Sequence, residues 1–409
     1  MKRVVSILLF FSFNQAMTLK ELVKKGLVYN QNFKSTNYII QSKVEKFKSV
    51  SNIYKPEIKI GLSYNRLDFD KRVVQIGETT TSFIKFKFNV YDGGRNRGLK
   101  EKYRYAIEAE KYKFLNDKKN FVFSIITLYF NLKSIEESLK IYKSKNRVLQ
   151  LQYEREESKY RMQLSSIDKV LKFKTELELN SYKIQELKYQ KLELLQQIKI
   201  LTGVSLKKLE TDKIKTISKV NYQEGSNIKM LETFYKMASS DIKIANSLKK
   251  VQILVEDSFN FYNYNDYNNR VLTDLPSQQN QFSISIVYNL FDTSSKGEIE
   301  EKKLLKLSKK NQLIFNKNSA KIEFELARER LKIQQQKIKS LKTAVKMANN
   351  LYEIVKEKYK QGLVDNITYL DALSTKVYNL SLYRQALNDL EIAKADFYLK
   401  AGVDYKNLF

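Results

Sequence analysis

The sequence predicts a mainly α-helical protein with a membrane β-barrel section, built by tandem duplication of one long hairpin. Three observations predict this. Two helical patterns, Asp92 to Tyr160 and Asp292 to Tyr359, each run for about 65 residues without a proline. Each pattern is preceded by two short segments in which apolar and polar residues alternate. The heptad of the first half also returns in the second. After a shift of 199 residues, Leu139, Tyr142, Tyr153 and Tyr160 fall on Ile338, Leu341, Tyr352 and Tyr359.

Composition agrees with long helices. The 409 residues include only two prolines, Pro56 and Pro276, and eleven glycines, and an uninterrupted helix needs that scarcity. At 1.5 Å per residue each helix is a rod of about 100 Å, which carries Tyr160 and Tyr359 to the end opposite the strands. The chain has no Cys and no His. That excludes disulfides, Cys-based zinc sites, catalytic schemes on Cys or His, and a lipid on an N-terminal Cys. The formal net charge is +29. A nucleic-acid or anionic-membrane partner would explain it, as would lysines decorating solvated helix faces. The lysines are scattered at helical spacing rather than gathered in one block, which favours the second reading.

The first residues read as an export signal, residues 1–16. Lys2-Arg3 is a positive start, Val4 to Phe13 an apolar core, and Asn14-Gln15-Ala16 a small-residue cleavage point. The alternative is a short buried helix. The apolar core is too short to span a bilayer as a helix, so a membrane crossing by this chain has to be a β-barrel.

Taken in order, Thr18 caps a helix through about Tyr29, a second helix covers 33–52, and Lys55-Pro56 stops it. Ile58, Ile60, Leu62 and Tyr64 then alternate with Glu57, Lys59, Gly61 and Ser63 as a strand. A loop, 66–79, leads to a second strand with Ile84, Phe86, Phe88 and Val90 on one face. It ends in the turn Tyr91-Asp92-Gly93-Gly94-Arg95, which starts the first long helix. That helix carries Ile125, Leu128, Leu132, Ile135, Leu139, Tyr142, Leu149, Tyr153 and Tyr160 at coiled-coil spacing. Gln163 to Ser166 is a turn, and a return helix runs from Ile167 or Asp168 to Thr202-Gly203. Residues 203–224 are irregular. A helix over 225–249 is placed to stack on the return helix.

The second half repeats the order. Strands cover Gln252–Tyr264 and Gln281–Leu290, and Asn289-Leu290-Phe291-Asp292 opens the second long helix. Its heptad is Ile338, Leu341, Val345, Ala348, Tyr352, Val355 and Tyr359. A turn at Gln361-Gly362-Leu363-Val364 precedes a last helix that Gly402 ends. The structural repeats are thus 17–224 and 225–409. Each strand bears an apolar band of four or five residues, the size of a membrane-crossing β-strand. A soluble sheet buried on one face would look the same; the signal and the long helices favour the membrane. Four strands cannot close a barrel, and an open edge in lipid strands its peptide groups. Several copies therefore have to share one barrel.

Here the sequence resembles the outer membrane efflux proteins, the TolC-like channels, over about 17–403. The specific marks are Val90-Tyr91-Asp92-Gly93-Gly94-Arg95 and the tip sequence Tyr359-Lys360-Gln361-Gly362-Leu363-Val364, followed by Ile367 and Leu370-Asp371-Ala372. The resemblance implies a homotrimer with a twelve-stranded outer-membrane barrel and an α-barrel of antiparallel coiled-coil helices through the periplasm. It implies an adaptor protein and an inner-membrane pump as partners, outer-membrane lipid around the barrel, no nucleic acid and no cofactor. Family aspartates after the second tip turn form a ring, and Asp371 falls on one such position. The position one turn earlier is Thr368, a departure, and Asp168 is the first-repeat counterpart. Tyr359 and Tyr160 belong to the same constriction region. Adaptor contacts map to Gly362, Leu363 and Val364, with Leu164 and Ser165 in the first repeat, where Met162-Gln163 replaces Gln361-Gly362.

Each position has a plainer reading. Asp168 and Asp371 also fit first-turn residues favoured by the helix dipole, Tyr160 and Tyr359 fit seam residues, and Gly362 fits a turn glycine. The function expected is a passive export duct of a tripartite efflux or type I secretion system. The alternative is a basic coiled-coil structural or nucleic-acid-binding protein, which explains neither strands nor signal. An enzyme is the weakest reading, because no acidic pair sits in a pocket motif.

Overall fold

The computed structural model describes residues 17–52, 55–67, 75–206, 209–210, 212–265 and 270–409. The expected export signal, 1–16, lies outside the described residues. The described elements run α1 (Leu19–Tyr29), α2 (Gln31–Ser51), β1 (Glu57–Arg66), β2 (Glu78–Asp92), α3 (Arg95–Arg161), α4 (Ile167–Thr202), α5 (Ser226–Ser247), β3 (Gln252–Asn265), β4 (Gln278–Val287), α6 (Thr293–Lys360) and α7 (Asn366–Lys400). A single turn of 3-10 helix follows at Tyr405–Leu408. The two long helices have 67 and 68 residues, as the proline-free heptads require. Among the described residues no helix is long and apolar enough to cross a membrane.

Contacts gather the chain into two units, each drawing on both halves of the sequence. One unit, Thr36–Lys113 with Asn227–Asn316, holds the sheet. Its four strands are antiparallel in the order β1-β2-β3-β4, so β2 and β3 join the two sequence halves. Alternation sorts the side chains. Ile58, Phe86 and Phe282 share a rung of the apolar face, and Ile60, Ile84 and Phe259 share the next. Asp257 and Asn280 are polar residues on this face: Asp257 stands opposite Phe86 and Phe282, Asn280 opposite Phe259, and Asn280 donates to the Asp257 carboxylate at 2.9 Å. A bulge between Asn89 and Tyr91 ends the regular pairing of β2.

The junction into α3 follows from Asp92. Its carboxylate accepts from the Gly94 and Asn96 amides at 3.1 and 2.8 Å, satisfying donors that the first helical turn leaves free. Gly93 has φ +70°, and a Cβ there would lie 2.4 Å from the Ser247 carbonyl oxygen, so only glycine fits. The second junction is built differently. The strand expected over Gln281–Leu290 ends at Val287 and begins at Gln278. The ladder with β3 runs from Gln252↔Val287 to Phe261↔Gln278. Backbone pairing therefore recruits the polar Gln278–Asn280 and releases Tyr288–Leu290, where no β3 residue remains to pair. Asp292 then accepts from the Ser295 amide at 3.0 Å and starts α6 without a glycine. In the same unit α5 packs on α3 through Lys102–Asp241 and Lys243–Glu101 ion pairs of 2.7 and 2.6 Å.

The other unit contains α1, most of α3, α4, the irregular segment, most of α6, and α7. Thr18 and Glu21 form a reciprocal cap at the start of α1. Leu19 and Leu22 from α1 join Val122, Ile125, Ile126, Tyr129 and Phe130 of α3 in a fully buried core, with Ile198 of α4 and Ala395 of α7. The α3–α7 seam is polar in places: Ser138 meets Ser381 at 3.1 Å, and Asn388 donates to Ser134 at 3.0 Å. The segment after Gly203 is irregular but fastened. Tyr129 donates to the Glu210 carbonyl at 2.6 Å, Ile217 donates to the Tyr398 hydroxyl at 3.1 Å, and Ile214 donates to the buried Glu391 carboxylate at 2.7 Å.

Glu391 is the acceptor on which that segment depends, so Glu391→Ala should strand the Ile214 amide. The expected loss is about 2 kcal/mol, read as amide exchange at Ile214 about thirtyfold faster. Glu391→Gln, which keeps an acceptor, should fall between. Unchanged exchange in the alanine variant would show that other contacts hold the segment.

Candidate functional site

The residues singled out by sequence gather where α3 turns into α4 and α6 into α7. Both turns have the same backbone form. In the first, the Leu164 amide donates to the Lys159 carbonyl at 2.8 Å and Gln163 to Tyr160 at 2.9 Å; in the second, Leu363 donates to Lys358 at 2.9 Å and Gly362 to Tyr359 at 3.1 Å. This pattern needs one left-handed residue. Gly362 supplies it at φ +78°, and in the first turn Gln163 takes it at φ +61°. Leu164 and Leu363 stand out from the turns, 74% and 68% exposed. Val364 instead packs against the core between the helices.

That core is aromatic and one-sided. Phe173, Tyr352, Tyr359 and Tyr369 meet with Leu149, Val355 and Leu370. The Tyr359 and Tyr369 rings stack at 4.8 Å, and the Tyr352 and Tyr369 hydroxyls lie 3.3 Å apart. Burial first, then neighbouring Tyr and Glu groups, pushes the Tyr359 and Tyr369 phenols well above their ordinary range. Tyr160, matched to Tyr359 by the repeat, does not join this cluster and is 43% exposed. The reason is in the counterparts. Under the 199-residue shift, Tyr369 corresponds to Val170, Phe173 to Ala372 and Glu156 to Val355. Tyr160 has no rings and no acceptor to turn toward.

Glu156 is the residue that the sequence reading missed. It is 2% exposed. Lys159 donates to its carboxylate at 2.7 Å, Ser165 at 3.0 Å and the Tyr359 hydroxyl at 3.2 Å. One side chain thereby ties the end of α3, the first turn and the end of α6. Burial works to raise its carboxyl, but the bonds from Lys159, Ser165 and Tyr359 outweigh it and hold the group below its ordinary value. The signal was available, since Glu156 sits four residues before Tyr160, on the same helix face. Its partner, however, lies in the other repeat, where spacing along one helix says nothing.

The two aspartates differ. Asp365 caps α7, its carboxylate accepting from the Thr368 amide at 2.8 Å. Asp371 therefore lies in the second turn, and the helix-dipole reading of Asp371 as a first-turn residue is corrected: Asp365 fills that role. Asp371 is exposed while its neighbours Leu370 and Ala372 are buried. It stands seven and fourteen residues before Tyr378 and Gln385. Those two line a groove of about 520 Å³ with Asn131, Ser134, Ser138 and Gln190. Asp168 is exposed in the first turn of α4, where the dipole reading stands. Among the described residues no group of three acidic side chains is placed to hold a metal ion. The arrangement sets the shape and charge of two exposed turns.

With four antiparallel strands and two long helices, each followed by a return helix, the fold is that of outer membrane efflux channels. The Campylobacter jejuni CmeC outer membrane channel matches with a TM-score of 0.84 at 14% identity, over 94% of this chain and 85% of that one. VceC, an outer membrane protein of Vibrio cholerae, matches at 0.81 and 13% identity over 95% and 96%. The Neisseria gonorrhoeae MtrE outer membrane channel, in its open state, matches at 0.77 and 14% over 95% and 90%. No protein-family model and no curated protein sequence matches the chain.

The Glu156 network sets a pH dependence. A carboxyl held below its ordinary value of 4.5 stabilises the fold fully above that pH and loses the contribution as pH falls through the lowered value. Amide protection over 159–165, corrected for intrinsic exchange, should hold above about pH 4.5 and drop as pH falls below it in the wild type. In Glu156→Gln it should start low and stay flat. A parallel fall in both proteins would assign the change to other groups.

Proposed function

We propose that the chain is the outer-membrane duct of a tripartite efflux or type I secretion system, a passive conduit that carries out no reaction. The observation that carries this reading is the sheet: one mainly apolar face interrupted at Asp257 and Asn280, two outer edges that pair with nothing among the described residues, and the efflux-channel fold around it. Three copies would close a twelve-stranded barrel in the outer membrane, with the helices in the periplasm. Exposed apolar side chains on α4 and α6, such as Leu179, Tyr182, Tyr189, Ile314, Phe315 and Leu351, supply faces for neighbouring copies. A periplasmic adaptor bound to an inner-membrane pump would dock on Leu164 and Leu363, with Gly362, Val364 and Ser165 setting the form of the turns. Asp371, with Thr368 one turn earlier and Asp168 in the other repeat, would form the acidic constriction, and Tyr359 and Tyr160 its surroundings. The nucleic-acid reading gains no support from a sheet with an apolar face.

The mature protein should behave as a homotrimer by light scattering in mild detergent and should form pores in planar bilayers. Three like charges around an axis attract cations. Asp371→Ala should therefore lower the potassium-over-chloride permeability ratio roughly twofold or more and weaken block by divalent ions added on the tip side. A monodisperse monomer would contradict the duct. Trimeric pores indifferent to Asp371 would move the constriction elsewhere, with Asp168 next to be tested.

A further inference from the structure

The polar face of the sheet has a charge pattern of its own. Register places Glu57, Lys87, Glu256 and Ser283 on one rung, and Lys59, Lys85, Ser258 and Gln281 on the next rung of the same face. Lys59 and Lys85 are thus directly opposed, an arrangement that costs stability. It is tolerated because Glu57 reaches Lys59 at 3.3 Å and Glu256 reaches both Lys85 and Lys87 at 3.5 Å. Two carboxylates serve three ammonium groups, whose side chains remain 61%, 40% and 40% exposed. Strand β4 adds Gln279, Gln281, Ser283, Ser285 and Val287 to this face, so it brings no compensating charge. The opposed lysines cost the fold stability and point their charge at whatever passes over the face.

We infer that this face makes the sheet section of the duct prefer anions, with Lys59, Lys85 and Lys87 setting the preference, and suits cargo bearing carboxylate or phosphate groups. The inference rests on the duct reading above. With the apolar face in lipid, the polar face lines the lumen, and on these two rungs each copy presents three ammonium groups against two carboxylates. The low-dielectric wall behind it concentrates the field. The Debye length, about 10 Å at 0.1 M salt and about 3 Å at 1 M, lets that field reach passing ions at low salt only.

The test is the reversal potential of purified protein in planar bilayers under a potassium chloride gradient. An Asp371→Ala background keeps the tip carboxylate from dominating. Lys59→Gln/Lys85→Gln/Lys87→Gln should lower the chloride-over-potassium ratio roughly threefold at low salt, and Glu256→Gln should raise it. Both effects should shrink at about 1 M salt, which a merely structural role would not produce. If the triple variant fails to assemble, Lys59→Gln alone removes the opposed pair and leaves the ion pairs of Glu256 intact; it should lower the ratio by a smaller factor. Pores of normal conductance whose ratio none of these changes moves overturn the inference while leaving the duct standing. A wild type that forms no pore overturns the duct reading, and the inference with it.

Discussion

A four-stranded sheet with one apolar face has two edges whose peptide groups need partners, and everything else about this chain answers that constraint. Internal pairing satisfies β2 and β3, which hold each other along nearly their whole length. The outer edges of β1 and β4 are left. In water they would be an aggregation template; in lipid each unpaired group would cost several kcal/mol. On the proposed duct reading, copies of the same chain supply those partners, β1 of one copy against β4 of another.

Much of the fold was legible in the sequence because its period is long and clean. The heptads of α3 and α6 run without a proline, and β1 and the centre of β2, Ile84 to Phe88, alternate. Both tip turns were placed within a residue or two. What escaped reading came from contacts between residues distant in the sequence. The register of β4 was set by its partner β3, which drew in Gln278–Asn280 against their composition. Asp257 breaks the apolar face at a position that the alternation of Ile253, Val255, Phe259 and Phe261 already marks. Glu156 looked like one more charged helix residue, and only tertiary contact with Tyr359 turns it into the knot of the tip.

The duplicated halves share a scaffold but not a chemistry. The first strand–helix junction turns on two left-handed glycines, the second on Asp292 and Ser295. The aromatic core of the tip draws Tyr352, Tyr359 and Tyr369 from one half and Phe173 from the other, and the counterparts Val170 and Ala372 give Tyr160 nothing to stack on. Backbone geometry was thus kept where the hairpin needs it, and side-chain chemistry diverged where it does not. Matching positions across the repeat predicts conformation well and environment poorly.

The two turns also make the protein its own reference for protein engineering. Gln163 and Gly362 occupy the same left-handed position, one with a side chain that strains it and one without. Left-handed strain is of order 1 kcal/mol per residue, so the first half carries a stabilising substitution already written in the second. A duplicated chain of this kind holds an alignment of two within a single gene, and wherever the halves agree in backbone but differ in residue, one half shows what the other can accept.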